Sequence, residues 1–148
     1  MFVEIYKTQN HKVIKFLGIK LKFKLPIRNI EKRDFSNKII IHKIDGNLVD
    51  AEQISGIDIK FLSKNSVVEV YEPFNFLNCN IYVGENSKVI IQSSIYPISN
   101  LAICLNSKNS SVTIGKNCSI QGTVIEMNRV VDIHTSIGDN CMWWSDIE

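Results

Sequence analysis

The sequence predicts an all-β chain wound as a parallel β-helix, and three observations carry that prediction. A strand-and-turn unit recurs from about Ile57 onward, its strands are short and rich in Ile and Val, and its corners are Asn, Ser and Gly. Asn65-Ser66-Val67-Val68-Glu69-Val70, Asn86-Ser87-Lys88-Val89-Ile90-Ile91 and Asn109-Ser110-Ser111-Val112-Thr113-Ile114 share one form, a polar Asn-Ser turn running into β-branched residues. The serines are 21 and then 23 residues apart. A short strand is expected before each turn, at Ile57-Asp58-Ile59, Ile81-Tyr82-Val83 and Leu101-Ala102-Ile103, with a looser fourth copy in Val131-Asp132-Ile133 and Ile137. A β-sandwich would show longer strands and hairpin turns at a spacing of about 8–12 residues. A helical solenoid would show apolar residues at helical spacing, and none of useful length is present. In a β-helix each coil stacks its inward Ile and Val on the coil before it. Asparagine suits the corners because it tolerates the left-handed backbone region and can ladder from turn to turn.

A finer pattern lies within the repeat. Val83-Gly84-Glu85-Asn86-Ser87-Lys88, Ile114-Gly115-Lys116-Asn117-Cys118-Ser119 and Ile137-Gly138-Asp139-Asn140-Cys141-Met142 all read aliphatic-Gly-x-Asn-small-x. An inward aliphatic residue every six positions suits a triangular coil with flat sides. The small residue is expected near a corner, where a larger one would crowd the core.

Charge divides the chain. Residues 1–33 hold nine Lys or Arg against two Glu, whereas residues 34–148 hold eight against thirteen acidic residues, leaving +7 and −5 in a chain of net charge +2. Two parts are expected, a basic N-terminal strand segment over 1–33 and β-helix coils over 34–148. In the basic part Leu17, Ile19, Leu21, Phe23 and Leu25 alternate with Gly18, Lys20, Lys22 and Lys24, and Pro26 closes the run. Period 2 gives a strand with one apolar face and one row of ammonium groups. Such lysines stop an edge strand from pairing with other chains. Contact of residues 15–25 with an anionic membrane surface is the less favoured reading, because one strand presents little apolar area.

At 148 residues the chain can bury one substantial core. No apolar run approaches the roughly 18–20 residues of a membrane span, and lysines interrupt every short apolar stretch near the N-terminus, so a signal-peptide plan is absent. The expected address is the cytoplasm. Cys79, Cys104, Cys118 and Cys141 are far apart, form no C-x-x-C pair and lie near no histidine at ligand spacing; they are expected as buried thiols with no metal site. The basic and aromatic residues form no nucleic-acid module, and nucleic acid is not an expected partner.

On the three hexapeptides the chain resembles the hexapeptide-repeat acyltransferases, whose fold is a left-handed parallel β-helix. The nearest likeness is to the acetyltransferases of capsule and lipopolysaccharide gene clusters, with a more distant one to the maltose and galactoside O-acetyltransferases. Ile137-Gly138-Asp139-Asn140-Cys141-Met142-Trp143-Trp144-Ser145-Asp146-Ile147 is similar to the coil that runs into the family's catalytic loop, and Gly115-Lys116-Asn117-Cys118 with Val124-Ile125-Glu126-Met127 to the coil before it. The good match covers about residues 81–148. The resemblance implies a homotrimer with active sites between neighbouring helices. In such a site a histidine takes the proton of a sugar hydroxyl or amine, which attacks the thioester of acetyl-CoA. Oxyanion donors then stabilise the tetrahedral intermediate.

The family places its histidine a few residues after a segment like Ser145-Asp146-Ile147-Glu148, in a loop reading roughly Asp-Gly-His. No catalytic residue is therefore expected within this chain, and later coils that bind CoA and cap the helix are missing from it. The expectation is the N-terminal part of an acetyl-CoA-dependent O- or N-acetyltransferase acting on a sugar or nucleotide-sugar in surface-polysaccharide biosynthesis. By itself it is expected neither to transfer acetyl groups nor to bind acetyl-CoA. The alternative is a non-catalytic β-helix module for self-assembly or carbohydrate binding. A right-handed β-helix of the lyase or adhesin kind shares the Asn-turn repeat but not the six-residue step.

Asp146, Glu126 and Trp144 are the acceptor-binding candidates. The resemblance places Asp146 close to the acceptor and Glu126 where relatives carry an Asp that helps to hold the sugar. The bland readings are a corner Asp in an Asx turn and a charge on the solvent face of a strand. Trp143, six residues after Ile137, is expected to point into the core, and Trp144 outward onto a sugar ring or a subunit interface. His134 is expected as an outward strand residue, and His11 and His42 lie outside the well-matched region.

Overall fold

The computed structural model describes residues 3–8, 11–16, 19–24, 36–128 and 131–144. The chain divides into two compact units, Met1–Arg33 and Asp34–Glu148. In the first, β1 (Val3–Thr8), β2 (His11–Phe16) and β3 (Ile19–Lys24) form an antiparallel sheet in the order β1-β2-β3. The alternating lysine run is thus in part an edge strand. Leu17, Gly18, Leu25 and Pro26 lie outside the described residues.

The second unit is a parallel β-solenoid with no helix among the described residues. After β4 (Lys38–His42) and β5 (Leu48–Ala51) come β6 (Ile57–Phe61), β7 (Val67–Tyr71), β8 (Phe76–Leu77), β9 (Cys79–Val83) and β10 (Lys88–Ile91). They are followed by β11 (Ile98–Ser99), β12 (Ala102–Leu105), β13 (Ser111–Ile114), β14 (Ser119–Gln121), β15 (Val124–Met127), β16 (His134–Ile137) and β17 (Met142–Trp144). They stack as three faces. Face one is β16-β13-β10-β7-β4-β5, face two is β17-β14-β11-β8, and face three is β15-β12-β9-β6. The chain visits them in the order one, two, three. All neighbours are parallel except β5, which returns antiparallel along β4 and edges face one.

Side-chain alternation explains the core. The central strands bury every second residue, as in Val68 and Val70 of β7, Ile81 and Val83 of β9, and Val112 and Ile114 of β13. Because the register is parallel, like sits on like from coil to coil: Ile59, Ile81, Ile103 and Ile125 form one column and Val68, Val89 and Val112 another. Each such side chain contributes about 1.5–3 kcal/mol by leaving water. No coil could bury its own inner face alone, so the stack is the smallest stable unit.

Corners are set by asparagine. Asn65, Asn86 and Asn109 precede face one with φ of 59°, 51° and 55°; Asn78 and Asn100 precede face three with 54° and 50°. The expected ladders are present: the Asn78 Nδ2 donates to Asn100 Oδ1 at 2.7 Å and the Asn86 Nδ2 to Asn109 Oδ1 at 3.3 Å. Inside the corners sit small polar residues. The Ser87 hydroxyl donates to the Ser107 carbonyl at 3.2 Å, Ser94 to the Cys118 carbonyl at 2.9 Å, and Ser66 to the Gly84 carbonyl. Each joins one coil to the next, which satisfies a buried hydroxyl that would otherwise cost folding energy.

Four sequence expectations change. The recurring unit extends back to β4, the first strand of the coil that holds Ile57, within the coils expected over 34–148. Val131-Asp132-Ile133 is not a strand but the corner before β16, with Asp132 at φ 60° in the place of an asparagine. The hexapeptides do not share one corner: Val83–Lys88 turns from face three to face one, whereas Ile114–Ser119 and Ile137–Met142 turn from face one to face two. The six-residue step is therefore a property of corners, while a full coil takes 21 to 23 residues, as from Val67 to Lys88 and from Lys88 to Ser111. Finally, Cys79 and Cys118 are buried free thiols, but Cys104 and Cys141 are half-buried, Cys104 on the outer surface of face three.

Candidate functional site

Parallel stacking gathers residues that lie far apart in the sequence. On the outer surface of face one, His42 of β4 faces Tyr71 of β7, and Ile40, Glu69 and Ile90 form the neighbouring column. The His42 and Tyr71 rings stack at 3.8 Å with 11° between planes. Glu69 lies among them. Its carboxylate takes the Lys88 ammonium at 2.7 Å, meets His42 Nε2 at 3.3 Å and accepts from the Tyr71 hydroxyl at 3.4 Å. Beside this cluster the Lys43 ammonium reaches Glu72 at 2.6 Å.

The Glu69 side chain is only 15% exposed. Burial pushes its carboxyl up, but the Lys88 ammonium, with help from His42, outweighs this and holds it below the usual carboxylate range. Burial, and then the Glu69 charge, push the Tyr71 phenol up. Glu69 already has three partners, so the arrangement pins β4, β7 and β10 together rather than offering a base to a substrate.

Because Glu69 titrates lower in the folded state, its contribution is complete above the unfolded value near 4.5 and is lost as pH falls through the folded one. Glu69→Gln is expected to cost about 1–2 kcal/mol at pH 7, the range for hydrogen bonds to a charged group reduced for partial exposure. Urea unfolding at pH 7 and pH 3 checks this, and the gap between variant and parent closes at the lower pH.

The other candidates are spread over the solenoid. Glu126 is exposed on the outer surface of β15, in face three, where Cys104 is its neighbour in register and the Asn128 amide donates to its carboxylate. Trp144 is exposed on the outer surface of β17, in face two, next to Gln121. The two lie on different faces. Asp146 lies outside the described residues. Trp143 takes the inward position of the fully buried Ile120, one coil on, yet remains 48% exposed. His134 is an exposed strand residue beside Ser111, whose hydroxyl meets its Nδ1 at 2.8 Å.

The face-one cluster was missed because His42 precedes the recognised repeats. The signal was available: Asn37-Lys38-Ile39-Ile40-Ile41-His42 aligns with Ser66-Val67-Val68-Glu69-Val70-Tyr71 once the turn residue is allowed to differ. Among the described residues no group of three His, Cys, Asp or Glu could hold a metal ion, and no helix is long and apolar enough to cross a membrane. Comparison with protein families, with curated proteins and with solved structures finds no match to this chain.

Proposed function

We propose that these coils are the scaffold of an acetyl-CoA-dependent O- or N-acetyltransferase that modifies a sugar in surface-polysaccharide biosynthesis. The reading includes left-handed winding, a homotrimer, and a cytoplasmic address where the acyl donor is available. The observation that carries it is the corner Ile137–Met142. Its Asn140 holds φ 56°, its Cys141 stacks beside Cys118, and it delivers Trp143 into the column of Ile120 and Trp144 onto the outer surface. A three-faced parallel solenoid with that corner is the framework on which the resembling family mounts its catalytic loop.

Within this scheme the coils position and the loop reacts. The base is a histidine of the expected Asp-Gly-His loop; Glu126 accepts hydrogen bonds from acceptor hydroxyls, Trp144 covers a sugar ring, and Asp146 lies near the acceptor. The self-contained Glu69 network and the strand position of His134 both favour a base outside the coils.

Calorimetry with acetyl-CoA tests this reading. The 148-residue chain is expected to give no binding heat, and micromolar binding contradicts the assignment of the donor site to later coils.

A further inference from the structure

The three faces differ in charge. The outer surface of face one carries Lys38, His42, Glu69, Lys88 and His134, and that of face three carries Asp58, Lys60 and Glu126. The strands of face two carry no ionisable side chain. Its outer surface is nevertheless far from inert. Leu77, Ser99, Gln121 and Trp144 form one outward column in register, with Leu77 65% and Trp144 64% exposed. Beside it Met142, 73% exposed, follows Ser119 in a second column, and Tyr96 stands exposed at the corner before β11.

We infer that face two is a binding platform for a neutral glycan chain. A partner recognised by charge would find no ion pair on these strands, though Lys116 and Asp139 stand at the corners before β14 and β17, whereas an uncharged polyol loses nothing by that. Pyranose rings offer two kinds of surface, C–H patches and hydroxyl edges. The Trp144 indole and the Leu77 side chain match the first. A hydroxyl such as that of Ser99 belongs to the class that donates to and accepts from sugar hydroxyls. The spacing also fits. Successive strands are about 4.8 Å apart, close to the advance of a glycan by one ring, so a chain laid along the solenoid axis meets one coil per sugar. The site rests in part on the transferase reading, because Trp144 also covers the acceptor ring there, but holding a polymer needs no acyl donor. Glu126, on face three, lies outside it.

Affinity electrophoresis of the whole chain in gels containing a soluble neutral galactomannan, a neutral mixed-linkage glucan or the acidic polymer alginate tests the inference. Retardation by at least one neutral polymer and not by alginate is expected. Trp144→Ala is expected to weaken it by about tenfold, corresponding to 1.4 kcal/mol, with Trp144→Phe retaining most of it and Val124→Ala on face three leaving it unchanged. Circular dichroism of each variant verifies folding, and Trp144→Phe keeps the test valid if the alanine variant misfolds. No retardation by either neutral polymer, equal retardation of Trp144→Ala, or retardation by alginate alone overturns it. So does self-association that Trp144→Ala abolishes in sedimentation without any polymer binding, which would make face two a surface between copies. Every outcome is read without acetyl-CoA, so failure here is distinct from failure of the transferase reading.

Discussion

Gly84→Ala is expected to destabilise the solenoid by about 2–3 kcal/mol, the upper part of the roughly 1–3 kcal/mol range for forcing extra atoms into a packed interior. A methyl group at Gly84 would stand 2.6 Å from the Leu105 carbonyl oxygen and 2.7 Å from that of Ser107, both backbone atoms of the next coil. Neither can swing away as a side chain would, so the coils must part where Asn109 N–H donates to the Glu85 carbonyl at 3.0 Å and the Ser87 hydroxyl to the Ser107 carbonyl at 3.2 Å. Gly115 is in the same position: its added methyl would meet the Gly138 carbonyl oxygen at 2.7 Å and the Asp139 carboxylate that accepts from Lys116 N–H. Gly138 meets nothing within 4 Å among the described residues, and Gly138→Ala in this chain is expected to stay within about 0.5 kcal/mol of the parent. Thermal and urea unfolding of the three variants checks the contrast. Equal tolerance at all three glycines would show that close coil stacking is not what the hexapeptide glycine serves.

Ile103→Ala is expected to cost about 2–5 kcal/mol, the lost transfer energy plus the cavity left behind. Ile103 is fully buried between Ile81 below and Ile125 above, and the side chains of the adjoining coils cannot collapse without breaking their own register. The matching change at Ile95, 70% exposed at a corner, is expected to fall within about 0.5 kcal/mol. In a linear stack each coil touches only its neighbours, so the loss at Ile103 falls on the interfaces of β12 with β9 and β15. Hydrogen exchange should therefore quicken in those strands before it does in β4.

Much of the architecture was legible because its determinants are local. The Asn-Ser turns stand where Asn65, Asn86 and Asn109 bend the backbone, and the strands after them are β7, β10 and β13. Face two was not legible. Its strands β8, β11 and β14 hold two or three residues each, too few for alternation to rise above chance, and are visible only through their pairing. Coils were expected over 34–148, but the repeat itself stood out only from Ile57 onward, because Asn37 occupies the place that serine takes in later coils. Val131-Asp132-Ile133 was read as a strand because Asp132 hides a corner that Asn would have announced. Counting six residues from Ile137 gave the register of Trp143 with Ile120 and the outward Trp144, but not the 48% exposure that Trp143 keeps. The Glu69 network depends on pairing across coils, with Lys88 and His42 respectively 19 and 27 residues away, and no local pattern encodes such a distance.

The parallel coil register underlies every placement above, and NMR measures it most directly. Through-space contacts between backbone protons of β10 and those of β7 and β13, pairing Val89 with Val68 and with Val112, are the expected result. Contacts of an antiparallel hairpin between β9 and β10, with no contacts at offsets of 21 to 23 residues, would contradict the solenoid and the proposals built on its faces.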